Sequence, residues 1–145
     1  MWQRVQTLYL AISTILIALV LFGTKAVIID ANGEVVEAIK YTQYIPYLIL
    51  LIIIGLLDIL ALTTWRHRIF QMRTAGLAAI ITLAFQIWLG VDFFLTHNEV
   101  VFKMTVVFPF VSIVLNLAAM RGIMADQMLV ESAYSLRKSR KERRK

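Results

Sequence analysis

A nearly continuous run of apolar residues, 44–62, constrains this chain more than any other feature. At about 1.5 Å of rise per residue, a helix of this length approaches the roughly 30 Å hydrocarbon core of a bilayer. The run contains one ionisable residue, Asp58, and a basic cluster with Arg66, Arg68 and Arg73 follows it. The pattern therefore predicts a membrane-spanning helix that ends at a positively charged face.

Composition agrees with a membrane protein. The chain is 60% hydrophobic and its mean hydropathy is +0.77, whereas soluble domains are about 45–50% apolar. Little sequence lies outside the apolar runs, which favours a single membrane domain. Because the sequence has no cysteine, disulfide bonds and thiolate metal sites are excluded.

The sequence contains three further apolar runs. Together with the first they predict an all-α fold class, a four-helix transmembrane bundle. The predicted spans are residues 5–22, 44–62, 74–95 and 104–120, within a transmembrane domain of residues 1–121. The first span resembles a signal peptide, but its apolar run exceeds the usual ~7–15 residues of such peptides, so we expect it to be retained. Pro109 is expected to kink the fourth span because it removes a backbone hydrogen bond.

The longest polar connection, residues 23–43, predicts a small extracytoplasmic β-hairpin between the first two spans. Its turn contains Asn32 and Gly33, a pair that accepts positive φ, and the flanking residues are β-branched. A lone hairpin is only marginally stable. We therefore expect residues 100–102 to add a third strand.

The last residues, 122–145, predict a cytoplasmic amphipathic helix with a basic tail. Six residues, all apolar except Ser132, recur at helical spacing on one side, which we name the C-terminal stripe: Ala125, Met128, Leu129, Ser132, Ala133 and Leu136. An apolar side of this kind has to be buried against something. We expect that to be the connection 63–73, lipid or another subunit.

The distribution of basic residues predicts the orientation. Of the 15 Lys and Arg, only Lys25, Lys40 and Lys103 lie in the connections opposite the termini. The remaining ones share the face of the termini: Arg4, Arg66, Arg68, Arg73, Arg121, Arg137, Lys138, Arg140, Lys141, Arg143, Arg144 and Lys145. The positive-inside rule therefore predicts that both termini are cytoplasmic.

Three stretches resemble a family of small four-span inner-membrane proteins from Bacteroidetes that carry a domain of unknown function. They are MWQRVQTLYL at the N-terminus, RHRIFQMR in the middle and LNLAAMRGIMADQMLVESAYSLR towards the end. The matching positions are Gln3, Arg4, Gln6, Thr7, Tyr9, Arg68, Gln71, Arg73, Arg121, Ile123, Asp126, Leu129, Val130, Ser132 and Arg137. The chain departs from the family at residues 124–127, which are less charged. The resemblance implies a bacterial inner (cytoplasmic) membrane and no activity.

Asp58 and Asn116 are the principal intramembrane polar candidates. They lie at similar distances from the predicted cytoplasmic ends of their spans, so they can meet. A carboxylate within a membrane is costly, which favours either a functional role or a fixed partner. The preferred interpretation is a packing lock, in which Asp58 binds Asn116, a hydroxyl group, or Arg121 or Arg66. The alternative is a functional one, a proton or cation relay.

Gln86 and Asp92 are the outer counterparts in the third span. Asp92 lies near the extracytoplasmic surface, where it can pair with Lys103 or Lys25. A solvated carboxylate at the interface is the preferred interpretation, and a ligand for a substrate is the alternative.

Catalysis has no positive evidence in the sequence. His67 and His97 fall on opposite sides of the predicted membrane, and no metal, nucleotide or nucleophile motif is present. We therefore expect no cofactor and no bound metal. The one cluster that a lipid-acting enzyme could use contains Arg66, His67, Arg68, Gln71 and Asp58.

Three functions follow in order of preference. The first is a non-enzymatic scaffold or accessory subunit of a membrane complex, with a membrane-protein partner or a second copy of the chain. The second is a small transporter or ion-conducting oligomer that uses Asp58 and Asn116, and the third is the lipid-acting enzyme. The basic face is expected to attract anionic headgroups. The basic tail lacks aromatic residues between its charges, so it does not predict a specific nucleic acid ligand.

Overall fold

The computed structural model describes residues 2–96 and 98–144, without the side chains of residues 2–4. It is mostly helical, with four long helices and one small sheet. The helices are α1 (Trp2–Phe22), α2 (Ile45–Thr63), α3 (Arg68–Thr96) and α4 (Phe108–Glu142), and short 3-10 helices cover Tyr41–Gln43 and Met104–Val107. In the described part of the chain all four long helices, the last counted together with the 3-10 turn before it, have the length and apolar composition needed to cross a membrane.

The helices pack in a ring that follows the chain. Helix α1 contacts α2, α2 contacts α3, α3 contacts α4, and α4 returns to α1. The connections at both ends reverse the direction of the chain, so helices that follow each other in sequence are antiparallel, as in up-and-down bundles. The bundle therefore has two different ends. We name them the sheet end, where the strands lie, and the terminal end, where α1 begins and α2 connects to α3.

Three strands cover the sheet end. They are β1 (Thr24–Ile29), β2 (Val35–Lys40) and β3 (Val101–Phe102), in the order β2-β1-β3. Strand β1 is antiparallel to both neighbours, so the predicted hairpin and the predicted third strand are confirmed. In the hairpin turn the Gly33 N–H donates to the Asp30 carbonyl at 2.8 Å. Gly33 has a φ of 81°, which a residue without Cβ adopts without strain.

The core has two apolar layers separated by polar residues. The layer nearer the sheet end contains Ile17, Val20, Tyr41, Tyr47, Leu51, Ile54, Phe85 and Leu89. The layer nearer the terminal end is built from Leu10, Ala61, Ala75 and Ala119, whose small side chains allow close helix approach. A buried polar residue lies between the two layers along α1 and along α2. Ser13 lies between Leu10 and Ile17, and Asp58 lies between Ile54 and Ala61.

The outer surface of the bundle is apolar on every helix. Among its large exposed side chains are Ile15, Leu19, Ile49, Leu56, Ile80, Ile87, Val114 and Leu117. An exposed apolar surface of this extent is unusual for a protein in water and is typical of contact with lipid.

Two helices are longer than the apolar runs that predicted them. Helix α3 begins at Arg68, before the span expected from about Thr74, and α4 continues without interruption from Phe108 past Arg121 to Glu142. Hydropathy identifies the residues that are apolar enough to contact lipid. A helix can extend past them wherever the neighbouring residues have good helix propensity. The expected kink at Pro109 is wrong, because Pro109 lies in the first turn of α4, where its missing N–H costs little.

Candidate functional site

Four polar side chains from three helices form a buried cluster inside the bundle. Ser13 comes from α1, Asp58 from α2, and Ser112 and Asn116 from α4, and each is 0% exposed. We name these four residues the buried polar cluster. Asn116 and Ser112 are one helical turn apart, so both side chains lie on the same face of α4.

Asp58 is the centre of the buried polar cluster. Its carboxylate accepts hydrogen bonds from Ser13 Oγ at 2.8 Å and from Asn116 Nδ2 at 3.0 Å. The oxygens of Ser13 and Ser112 are 2.6 Å apart. Since a hydroxyl has one proton and that of Ser13 goes to Asp58, Ser112 donates to Ser13. The cluster thereby ties α1, α2 and α4 together.

These contacts distinguish between the partners that the sequence left open for Asp58. Within the described residues its hydrogen bonds come from Asn116 and a hydroxyl group, and not from the guanidinium of Arg66 or Arg121. One acceptor in the cluster, Asn116 Oδ1, is buried with no hydrogen-bond partner among the described residues. A buried unpaired acceptor is uncommon and costs free energy, and Asn116 Oδ1 is therefore a position where the cluster could take a further donor or a cation.

A second polar cluster lies at the sheet end. The ammonium of Lys25 on β1 forms an ion pair with the Asp92 carboxylate on α3, and the Tyr47 hydroxyl donates to the same carboxylate oxygen at 3.2 Å. The Lys25 nitrogen also lies 5.0 Å from the centre of the Tyr47 ring and 5.6 Å from that of Phe102. Burial lowers the pKa of Lys25 from its usual 10.5. Asp92 is thus held by named partners rather than simply solvated.

The Lys25–Asp92 pair borders a small cavity of about 340 Å³. Aromatic rings of Tyr44, Tyr47 and Trp88 form one wall of it and stack edge to face against each other. The cavity is open at the surface beside the sheet. Gln86 is half-buried on the same helix as Asp92, and its Oε1 has no hydrogen-bond partner among the described residues.

The terminal end carries a larger cavity of about 820 Å³, which we name the arginine pocket. Its lining comes from the α2–α3 connection, the first turns of α3 and the middle of α4: Thr64, Arg66, His67, Arg68, Ile69, Phe70, Arg73, Gln127 and Val130. The Arg68 guanidinium approaches the Asp126 carboxylate at 3.8 Å, which joins the start of α3 to α4. Asp58 is not part of this lining, so the cluster considered for a lipid-acting enzyme does not assemble around the pocket.

The family-like positions separate into three groups. Arg68, Arg73 and Asp126 lie in or beside the arginine pocket. Gln71 is buried in the bundle, whereas Arg121 and Arg137 are exposed on α4. The structure does not describe the side chain of Arg4, and it describes neither His97 nor Lys145.

Sequence reasoning missed the contribution of Ser13 and Ser112 to the cluster around Asp58. The spacing of four between Ser112 and Asn116 is a signal that could have identified one of them. No three His, Asp or Glu side chains in residues 2–96 and 98–144 are placed to hold a metal ion together.

Comparison with known proteins places the chain in a family without a described activity. No curated protein and no solved structure matches it. The model of one family, described as a domain of unknown function (DUF4293), matches residues 2–134. Because that match covers nearly the whole chain, the protein belongs to the DUF4293 family.

Proposed function

We propose that this protein is a non-enzymatic scaffold or accessory subunit of a membrane complex in the inner (cytoplasmic) membrane of a bacterium, with both termini in the cytoplasm. The apolar outer surface of the bundle supports the membrane location, and the excess of basic residues at the terminal end supports the orientation. The resemblance described above suggests an origin in Bacteroidetes.

One observation carries the proposal: α4 continues far beyond the bundle with its apolar side uncovered. Ile123 is the last buried residue of α4. Residues 124–130 still border α3 and the α2–α3 connection on one side, and residues 131–142 extend about 18 Å further at 1.5 Å per residue. Met128, Leu129 and Leu136 in the C-terminal stripe are 60%, 68% and 70% exposed. Most helices in proteins gain their stability by packing an apolar face against a partner, and the C-terminal stripe has no such partner within the described residues.

The charge of the extension indicates the chemistry of its partner. Two copies of this protein in one membrane would present their C-terminal extensions in parallel. Their basic ends would then lie side by side: Arg137, Lys138, Arg140, Lys141, Arg143 and Arg144. Like charges placed side by side repel each other. A second copy is therefore a poor partner for the stripe, and a different protein that offers an apolar groove with an acidic rim is a better one.

Matched substitutions on opposite sides of α4 test this proposal. Leu129 lies in the C-terminal stripe and Tyr134 lies on the other side, and they are 68% and 71% exposed. The protein would be purified in mild detergent at its native expression level, as wild type, Leu129→Lys and Tyr134→Lys. We expect a partner at fixed stoichiometry in the wild type and in Tyr134→Lys, and its loss in Leu129→Lys. Recovery of the wild-type chain alone would contradict the proposal.

A small transporter or ion-conducting oligomer is the second candidate, and the unpaired Asn116 Oδ1 beside the Asp58 carboxylate favours it. Against it, all four residues of the buried polar cluster are 0% exposed, so they are sealed from solvent. Reconstituted vesicles with wild type and Asp58→Asn separate the two functions. A proton flux that is abolished by Asp58→Asn would establish the relay, whereas equal flux in both eliminates it.

A further inference from the structure

We propose that the arginine pocket binds the headgroup of one anionic phospholipid. The pocket combines three features that such a lipid requires: cationic groups for a phosphate, apolar surface for the glycerol and the first methylenes, and a position at the edge of the apolar part of the bundle. The proposal uses the membrane placement given above, and it is independent of the partner assigned to the C-terminal stripe.

The cationic groups come from the α2–α3 connection and the first turns of α3. Arg66 and Arg73 are exposed, and both line the pocket. A guanidinium can donate two parallel hydrogen bonds to a phosphate, which makes Arg the residue best suited to it. The ion pair of Arg68 with Asp126 at 3.8 Å holds the α4 wall of the pocket against α3.

The apolar part of the lining argues for a lipid rather than a soluble anion. Ile69, Phe70 and Val130 are 51%, 51% and 57% exposed, and all three border the same space as the arginines. The volume of about 820 Å³ is larger than a phosphate group requires. An inorganic anion would contact the guanidinium groups alone, whereas a glycerophospholipid would cover the apolar residues as well.

The depth of the pocket places it at the headgroup level. Helix α2 ends at Thr63, directly after its apolar run, and the pocket begins at Thr64. Trp65 is 59% exposed beside it, and the Arg66 guanidinium lies 5.3 Å from the centre of its ring. Exposed Trp residues next to the end of a span are typical of the membrane–water interface.

Lipid titration followed by native mass spectrometry tests the site on the full chain in detergent. The probes are phosphatidylglycerol and phosphatidylcholine with the same acyl chains. The pocket variant is Arg66→Gln with Arg73→Gln. The control is Arg140→Gln with Arg143→Gln, which removes the same charge at and just beyond the C-terminal end of α4. Thermal unfolding of each variant verifies that it is folded.

We expect the wild type to retain phosphatidylglycerol in preference to phosphatidylcholine at one molecule per chain. The pocket variant should bind phosphatidylglycerol roughly thirtyfold more weakly, while the control stays within about threefold of the wild type. Val130→Asp, which places a carboxylate in the pocket wall, should weaken binding as well. The Leu129→Lys variant should bind the lipid normally, so loss of the partner and loss of the lipid are distinguishable.

Four results would overturn the proposal. Equal weakening in the pocket variant and the control would mean general attraction to the basic face. Equal retention of both lipids would remove the charge preference. Displacement of phosphatidylglycerol by an equal concentration of glycerol phosphate would assign the pocket to a soluble phosphate, and displacement by an acidic peptide would assign it to an acidic protein.

Discussion

Asn116 on α4 donates a hydrogen bond of 3.0 Å to the carboxylate of Asp58 on α2, although the two residues are 58 positions apart and their helices are not neighbours in the ring. This bond crosses the diagonal of the bundle. The Ser13 hydroxyl binds the other carboxylate oxygen from α1, so the diagonal contact is part of a link between three helices. Such a link restricts the rotation of each helix about its axis, because the bonded side chains have to face one another.

A double-mutant cycle of Asp58→Ala and Asn116→Ala measures this link. Each single variant should lower the free energy of unfolding in detergent, because it leaves a buried donor or acceptor unpaired. The coupling energy between the two positions should be about 0.6–1.7 kcal/mol, the range of interhelical hydrogen bonds in membranes. The measurement is reversible unfolding of the four proteins. Additive effects of the two substitutions would show that the diagonal bond contributes nothing.

The Lys25–Asp92 pair at the sheet end should behave as a partly buried ion pair. Removing one charge leaves the other uncompensated, so Lys25→Met should lower the free energy of unfolding by about 1–3 kcal/mol. Burial lowers the pKa of Lys25, which means that the site does not favour the charged form of the side chain over the neutral form. The double variant Lys25→Met with Asp92→Asn should therefore recover most of the loss.

The exposed Lys103 supplies the control for the ion pair. Lys103→Met removes the same charge at the same end of the bundle and should change stability by less than about 0.5 kcal/mol. If Lys103→Met were as destabilising as Lys25→Met in thermal unfolding, the specific pairing with Asp92 would be refuted.

Two glycines should respond in opposite directions to alanine. A Cβ at Gly23 would lie 2.8 Å from the Leu19 carbonyl oxygen and 3.3 Å from the Thr105 methyl group, so Gly23→Ala forces the chain between α1 and β1 to move. We expect a loss of about 1–3 kcal/mol. A Cβ at Gly90 meets nothing within 4 Å, so Gly90→Ala should stabilise α3 by about 0.5–1 kcal/mol. The free energy of unfolding of the two variants checks this prediction. A change of the same sign and size in both would contradict it.

The sequence was sufficient to predict the elements of the fold. Apolar runs located the four long helices, and the Asn32–Gly33 turn with its β-branched flanks located the hairpin. The start of α3 was not predictable in the same way, because apolar content indicates contact with lipid, whereas the helix begins at Arg68, before the apolar run. A helix after Arg121 was predicted from the spacing of its apolar residues, but its continuity with the fourth span was not.

The candidate sites were predictable only in part, because they depend on how the helices are rotated and ordered. Depth in the membrane alone predicts that Asp58 and Asn116 can meet. Ser13 carries no local signal, since its contact with Asp58 exists only when α1 packs beside α2. The choice between Lys25 and Lys103 as the partner of Asp92 depends on the sheet, where Lys25 belongs to the central strand β1.

Labelling of single cysteines tests the proposed four-span arrangement most directly, because the chain has no native cysteine and each introduced thiol is unique. Asn32→Cys is in the hairpin turn at the sheet end, and Ser139→Cys is in the exposed extension of α4. A maleimide that does not cross membranes would be added to spheroplasts before and after permeabilisation. The account predicts that Asn32→Cys reacts at once and that Ser139→Cys reacts only after permeabilisation. Reaction of both thiols from the same side would contradict it.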